Sequence, residues 1–392
     1  MKVTVSAQTS SNAFEPERAR WALQFCHCHY GPFGDVGRQY ADTLRRLGYR
    51  VCTVYLTGEK SESIRALTNC DEVIFLAFTS KQVGGLKLAA IRAFLKIVRA
   101  RPYEFVVAHR FKPIYIASLA CPLPVIGVSH SFGDYSRFGR RLFANLFRSR
   151  LTLLGVSNAV RDEIRQSLPT WPTDKIQTFY NRLDVDRVLP ALVGRQAARD
   201  QLGLPQGAFV VANVGRLHPD KDQATLITAF AQARGRLPAG ALLVIVGSGR
   251  LEARLKALAA ELQLGDSIRF AGQVAEIWRY FKAFDVFALS SDHEPFGMVL
   301  LEAMAAGVPI VATNCGGAPE VVGELGALFK LGDQAQLGEA LVEMSSMTEL
   351  QRTEYATAAL ARLREMFSDD ASVAACAKCL PVRPPHAAVA AP

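Results

Sequence analysis

The sequence predicts an α/β protein built of two doubly wound domains. Three observations point there. The chain has 392 residues, more than one domain ordinarily holds at roughly 100–200 residues each. Half of the residues are hydrophobic, ample for two buried cores and unlike a disordered or fibrous chain. Short β-branched runs, apolar on both faces, alternate with longer helical patterns, as a parallel sheet covered by helices requires.

In the first half the expected strands are Ala22–Cys28, Val51–Leu56, Val73–Phe78, Phe105–Ala108, Val125–Val128 and Leu151–Val156. In the second they are Phe209–Val214, Ala241–Val246, Ser267–Phe270, Val286–Leu289 and Pro309–Ala312. Between the halves, Asp184–Gly207 is mixed, holds Pro190 and Pro205, and precedes a fresh strand, so the boundary falls there. The division is then a variable segment 1–20, a first domain 21–185, a linker 186–206 and a second domain 207–365. A C-terminal helix, 366–380, crosses back to the first domain, and the Pro/Ala-rich tail 381–392 is expected to be disordered. No repeat at solenoid spacing is present.

Met1 to Arg20 carries Glu15, Glu17, Arg18 and Arg20 without an apolar core, so no secretory signal is expected. No stretch approaches the ~20 uninterrupted apolar residues of a spanning helix. The expected location is cytoplasmic, soluble or peripheral at the inner face of the plasma membrane. Of the eight cysteines, Cys376 and Cys379 have CxxC spacing but no second ligand pair, and Cys26-His27-Cys28-His29 would point to opposite faces of a strand. Neither is read as a metal site.

The net charge of +9 is unevenly spread. Residues 1–205 hold 29 Lys and Arg against 16 Asp and Glu, and between Lys81 and Arg150 the only acids are Glu104 and Asp134. Such a surface suits anionic lipid or a phosphorylated acceptor, or is a solvated basic face. No RRM, KH or zinc-finger signature supports nucleic acid as a partner. The stretch 136–150 interleaves Phe138, Leu142, Phe143, Leu146 and Phe147 with five arginines. It reads either as a basic helix lying on anionic membrane or as one packing its apolar stripe on the first domain.

The sharpest chemistry lies in "SSDHEPFGMVLLEAMAAGVPIVATNCGGAPEVV". Glu294 precedes Pro295, Phe296 and Gly297, and a helix is expected from Met298 to about Ala306. Glu302 is its only charge. A helix apolar all round is buried, and a lone buried carboxylate is costly unless something pairs with it; ribose hydroxyls would do so. The N–H groups at Gly297, Met298 and Val299 suit a phosphate. Glu294, just before, suits the hydroxyls of the next group along.

In "VANVGRLHPDKDQATLITAF" a strand ends in Gly215-Arg216, and Lys221 follows. Loops at the carboxyl ends of parallel strands bind ligands, so Arg216 and Lys221 are expected to hold a diphosphate without a metal. Of the two Asp-x-Asp spacings, Asp184–Asp186 lies in the linker, and Asp220–Asp222 is expected to cap a helix rather than hold a metal. Gly247 and Gly249 of "VIVGSGR", and the backbone to Val274 in "IRFAGQV", are expected to line the same pocket. In the first half, Gly31 and Gly34 bracket a loop that faces the cleft, with Asp35 as N-cap. His130 and His109 sit at strand ends, His130 either touching the transferred sugar or serving as a structural histidine. Asp134 joins Gly31 and His109 as an acceptor-side candidate.

"EPFGMVLLE" has the Glu-x7-Glu form of retaining GT-B glycosyltransferases. It stands with "GRLHPDKD", "VGSGR" and "AMAAGVPIVATNCGGAPEVV" in the order of glycosyltransferase family 4, which the chain resembles over 170–330 and more weakly over 22–170. The resemblance implies two Rossmann-like domains facing across a cleft and a nucleoside-diphosphate sugar bound by the second. It implies Arg216 and Lys221 on the diphosphate, Glu302 on ribose, Glu294 on the sugar, and His130 near the anomeric carbon. His130, Arg216, Lys221 and Glu294 are thus the catalytic candidates. The donor site is formed by Gly34, Gly215, Arg216, Lys221, Gly247, Gly249, Val274, Glu294, Phe296, Gly297, Met298, Val299 and Glu302. The first loop reads Gly-Pro-Phe-Gly-Asp where many members carry a Gly-Gly pair. The implied function is transfer to a glycan or glycolipid hydroxyl, in lipopolysaccharide or other surface-polysaccharide assembly, with no metal or other cofactor. Alternatives are a nucleotide-sugar epimerase or phosphorylase on the same fold, or a non-catalytic nucleotide-sugar-binding protein at the membrane.

Overall fold

The structure, a computed structural model, describes residues 19–30 and 32–379. The expectations for residues 1–18, for Gly31 and for the tail from 380 lie outside these residues. Seven strands form the first sheet: β1 (Trp21–Cys26), β2 (Arg50–Thr57), β3 (Glu72–Phe78), β4 (Tyr103–His109), β5 (Val125–Ser129), β6 (Leu151–Gly155) and β7 (Ile176–Thr178). Six form the second: β8 (Val210–Val214), β9 (Leu242–Val246), β10 (Ile268–Gly272), β11 (Val286–Leu289), β12 (Ile310–Thr313) and β13 (Ala327–Phe329). The orders are β3-β2-β1-β4-β5-β6-β7 and β10-β9-β8-β11-β12-β13. The pairings within each are parallel. The expected fold class is the observed one.

The expected strands are all present, their ends moved by no more than two residues. β7 and β13 were not anticipated. Each has three residues, too few to show a period, and each sits at a sheet edge with a single neighbour. The central strands β1 and β9 are buried at every position, which is why they read as unbroken apolar runs. One correction concerns Asp35. The first helix begins at Pro32, so Asp35 lies within its first turn and is not its N-cap. It pairs instead with Arg38 (3.0 Å) and accepts from Gln39 (2.6 Å).

The stretch between the sheets folds into helices Val185–Ala191 and Arg195–Leu202. It is bolted to the second sheet. Arg199, fully buried, donates to Asp285 (2.7 Å) and to the carbonyls of Ala283 (2.9 Å) and Pro205 (2.9 Å). The chain ends in helices Glu349–Phe367 and Asp369–Cys379, and the second of these packs on the first-domain helix Pro32–Arg46. One buried cluster runs from β1 through Tyr40, Phe179 and Phe296 to Phe367 and Cys376, so the two domains share apolar core.

The lock at that junction is Arg182. Its side chain is 2% exposed, paired with Asp369 and donating to the Gln39 carbonyl. Removing one partner of a buried pair leaves a charge without compensation. Asp369→Ala is therefore expected to cost about 3 kcal/mol, read as a lower urea midpoint at unchanged slope.

Candidate functional site

Both sheets reverse their winding at one point, between β1 and β4 in the first and between β8 and β11 in the second. Loops leaving the carboxyl ends of strands flanking such a switch splay apart and leave a crevice. The second-domain loops bring Lys221 and Glu294 together. Lys221 Nζ lies 2.7 Å from Glu294 Oε2, and both touch the Ser291 hydroxyl, at 3.4 and 3.3 Å. The lysine closes the 3₁₀ turn Pro219–Lys221 after β8, and the Ser290 hydroxyl donates to its carbonyl (2.9 Å). The Glu294 main chain is clasped from behind, because Gly317 N–H donates to its carbonyl (2.8 Å). Gly316, at φ +56°, lies so close that a Cβ there would meet the same carbonyl oxygen at 2.0 Å. Only glycine fits this contact.

Arg216 leaves the same strand end but lies apart from the pair. Its guanidinium is 70% exposed and rests on Asp220 (3.1 Å), which His218 also contacts. Asp222 caps the helix Gln223–Ala233, accepting from Thr225 N–H.

Helix Met298–Ala305 begins at Gly297, at φ +94°, with no side-chain cap on its first turn. Leu300, Leu301, Ala303, Met304 and Ala305 are buried, and Glu302 is its one charge. The Glu302 carboxyl has no hydrogen-bond partner among the described residues. Protein walls most of it while the cleft leaves it partly exposed. That burial, together with the negative charge of Asp35 on the first-domain helix Pro32–Arg46, pushes it up to about 8.

On the first-domain side, His109 and His130 stand at the ends of β4 and β5, stacked with centroids 5.3 Å apart. His109 Nδ1 lies 3.1 Å from His130 Nε2, and His109 Nε2 lies 3.3 Å from Gln24 Nε2. Burial holds both rings below the usual histidine range, His130 at about 4 with the positive charge of Arg110 contributing. Asp134 pairs with Arg140 (3.6 Å), and burial raises its carboxyl.

Some expected site residues are placed otherwise. Phe296 is 2% exposed and packs between Tyr180 (6.0 Å) and Phe367 (5.7 Å), so its ring belongs to the interdomain core. The need for glycine at 247 and 249 comes from protein backbone. A Cβ at Gly247 would lie 1.9 Å from the Gly215 carbonyl oxygen, and one at Gly249 would lie 2.3 Å from that of Leu217. Gly34 lies in the first turn of helix Pro32–Arg46. Gly215 follows β8, its N–H donating to the Val246 carbonyl (2.9 Å). Val274, Met298 and Val299 are half-buried beside the cleft core.

Residues that the sequence reading passed over include Ser291, Gln24 and Glu320. A glutamine inside the apolar run "WALQFC" was a legible signal. Glu320 reaches the first domain, where its carboxylate accepts from Asn158 N–H (2.7 Å), Ala159 N–H (2.8 Å) and the Tyr180 hydroxyl (3.0 Å).

Two parallel Rossmann-like sheets, their strand ends opposed across a crevice, define the GT-B class of glycosyltransferase. The family profile described as "Glycosyltransferase Family 4" matches residues 36–187, and "Glycosyl transferases group 1" matches 194–359. The chain belongs to the GT-B glycosyltransferases of family 4 type. It is 34% identical over 217 residues to the D-inositol 3-phosphate glycosyltransferase of Streptomyces scabiei, covering 52% of this chain and 48% of the relative. It is 41% identical over 160 residues to the GDP-mannose-dependent alpha-(1-6)-phosphatidylinositol monomannoside mannosyltransferase of Mycobacterium tuberculosis, covering 38% and 41%. It is 36% identical over 182 residues to the lipopolysaccharide core biosynthesis glycosyltransferase LpsE of Rhizobium meliloti, covering 45% and 52%. The matched stretch spans about half the length of these curated relatives. Among solved structures, Anabaena Alr3699/HepE in complex with UDP and glucose superposes with a TM-score of 0.74 at 21% identity, over 92% of this chain and 98% of that one.

Because the folded state keeps a proton on Glu302 up to about pH 8, while the unfolded chain releases it near 4.5, unfolding is favoured increasingly as pH rises through that interval. Glu302→Gln removes this penalty. The unliganded variant should be more stable than the parent by about 2 kcal/mol above pH 8, the gain vanishing below about pH 4.5. Thermal melts across pH measure it.

Proposed function

We propose that the chain is a retaining glycosyltransferase that moves a sugar from a nucleoside diphosphate to a hydroxyl of a glycan or glycolipid. The observation that carries this is the Lys221–Glu294–Ser291 cluster, beside a helix N-terminus without a side-chain cap and a Glu302 carboxyl without a hydrogen-bond partner among the described residues. Spread along a nucleoside-diphosphate sugar, these groups have separate tasks. Glu302 accepts from the ribose hydroxyls, which restores the hydrogen bonds its burial denies it. The Gly297–Val299 N–H groups and Lys221 take the diphosphate, joined by Arg216 once it leaves Asp220. Glu294 holds the sugar hydroxyls. His130 meets the sugar from the opposite wall.

These groups stabilise negative charge as it builds on the departing diphosphate, the task a metal ion performs elsewhere. Bond breaking leaves an oxocarbenium-like centre, which the acceptor hydroxyl attacks from the face the diphosphate vacates. The proton passes to the departing phosphate oxygen, and the configuration is retained. Closure of the domains limits attack by water. The names of HepE, bound to UDP and glucose, and of a GDP-mannose-dependent relative support a nucleotide-sugar donor.

The acceptor is proposed to be lipid-linked, in lipopolysaccharide or other surface-polysaccharide assembly at the cytoplasmic face of the membrane. Among the described residues, no helix is long and apolar enough to cross a membrane. Helix Phe138–Leu146, however, is apolar on two sides. Phe143 and Phe147 face inward, against Tyr115, Phe111 and each other. Phe138, Leu142 and Leu146, spaced four apart, are 72%, 60% and 75% exposed. Leu86 and Leu88, also exposed, flank Lys87, which sits 4.7 Å above the Tyr115 ring. Apolar side chains amid Arg137, Arg140, Arg141 and Lys87 suit an anionic bilayer. The relatives named for lipopolysaccharide core and for a phosphatidylinositol mannoside are in keeping with this.

Two experiments test the proposal. A thermal-shift screen of UDP-, GDP- and ADP-sugars should find one donor that raises stability. Glu302→Ala should weaken its binding by roughly ten- to a hundredfold, the worth of hydrogen bonds to a charged group. Transfer to an acceptor should survive EDTA. No stabilising donor, or activity lost to EDTA and restored by manganese, would overturn this account, and donor epimerised without acceptor would favour the epimerase alternative. For the membrane, Leu142→Asp with Leu146→Asp should lower co-sedimentation with phosphatidylglycerol-containing vesicles by at least about tenfold, since each buried leucine contributes roughly 1.5–3 kcal/mol. Unchanged binding would reject this face.

A further inference from the structure

Gln24 lies in the middle of β1, fully buried where Leu23 and Phe25 make apolar core. A buried amide is costly unless its hydrogen bonds are made, and these are. Its Nε2 donates to the Gly37 carbonyl (3.0 Å), and its oxygen accepts from Thr53 Oγ1 (3.4 Å). A carbonyl oxygen only accepts, so the Gly37 contact settles which end of the amide is nitrogen. The second amide hydrogen faces His109 Nε2 at 3.3 Å, with the weak acceptor Cys26 Sγ at 3.5 Å.

The rest follows by exclusion. His109 Nε2 accepts, so a neutral His109 carries its proton on Nδ1. That N–H donates to His130 Nε2 at 3.1 Å. His130 Nε2 is thereby an acceptor, and the proton of a neutral His130 sits on Nδ1, the reverse of the form a free histidine prefers in water. Tyr40 packs edge-on against the His109 ring (4.6 Å) and the two histidines stack, so His109 is held in place sterically as well.

We propose that Gln24 and His109 are positioning residues that hold His130 in a single tautomer, protonated at Nδ1, so that it offers a bound sugar a hydrogen-bond donor and not a base. The bonding order runs from Gln24 to His109 to His130, out of the sheet and to its carboxyl edge. The role toward a sugar rests on the transferase reading; the tautomer does not. In such a chain each bond polarises the next, and the orientation of the last ring is set by the hydrogen bond behind it.

The test uses the full chain labelled with 15N at histidine and long-range 1H–15N correlation spectra, with His130→Gln assigning its signals. The expected result is an Nδ1-protonated His130 in the parent chain and a mixture of tautomers in Gln24→Met and His109→Phe. His109→Gln, whose amide offers the same N–H, should restore the parent pattern. In transfer assays Gln24→Met should lower kcat by roughly two- to tenfold, the worth of one supporting hydrogen bond, with KM for the donor nearly unchanged. An Nε2-protonated His130 in the parent, or a tautomer indifferent to all the variants, overturns the proposal. An Nδ1-protonated His130 in a chain that transfers no sugar would leave the tautomer standing and reject the transferase reading instead. Thermal melts of each variant separate a changed tautomer from a damaged fold.

Discussion

A carboxylate set on an otherwise wholly apolar helix is the constraint around which the second domain is organised. Helix Met298–Ala305 must be apolar because helix Glu349–Phe367, the 3₁₀ turn Ile277–Ala283 and β12 pack around it, and Glu302 is then the one residue that cannot share that environment. Its burial, with Asp35 across the cleft, makes the charged form unfavourable in the unliganded protein. Eight residues earlier, Glu294 faces the opposite situation, with a lysine at 2.7 Å and a hydroxyl beside it. One segment thus carries two carboxylates, one compensated by protein and one left to be compensated from the cleft. That asymmetry is what a ligand rich in hydroxyls at one end and negative in the middle would relieve.

Division of labour between the domains follows from charge. Residues 1–205 carry the whole surplus of Lys and Arg, and the remainder is slightly acidic. The candidate donor cluster on the second domain consists of a few placed groups: one lysine, one exposed arginine and one helix N-terminus. The first domain instead spreads its basic residues around an exposed apolar stripe on helix Phe138–Leu146. Placed groups select a small ligand, whereas a diffuse basic and apolar face suits an extended one. On the proposed function, the same chain is a donor pocket attached to a platform for a lipid-linked acceptor.

Much of this was legible in the order of residues, for identifiable reasons. Strands buried on both faces leave uninterrupted apolar runs, so the eleven longer ones were found, while the three-residue edge strands β7 and β13 carried no period to read. Glu302 stood out because it breaks an apolar helix. Lys221 and Glu294 lie 73 residues apart, and only the neighbouring ends of β8 and β11 make them partners. Phe296 was misread since its motif position says nothing about which way a ring turns, and here it fills the interdomain core. The glycines at 247 and 249 were expected to line the pocket, and what requires glycine there is the backbone of the Gly215–Leu217 loop. Gln24 and Glu320 act on residues that only the folded sheet or the opposite domain supplies.

The clasp formed by Glu320 links the relative position of the domains to the donor cluster. Its carboxylate caps the N-terminus of first-domain helix Asn158–Ser167, an arrangement favoured by the helix dipole as well as by two N–H donors. Three residues before it, Gly317 packs against Ser157, with room for no more than hydrogen at its Cα, and its N–H holds the Glu294 carbonyl. The turn Gly316–Gly317 is therefore fastened on one side to the first domain and on the other to the residue that Lys221 grips. A rotation of the first domain that carried helix Asn158–Ser167 with it would pull on Glu320, and through that turn on Glu294. On the proposed function, such a connection ties the position of the carboxylate that would hold the sugar to the approach of the wall that bears His130.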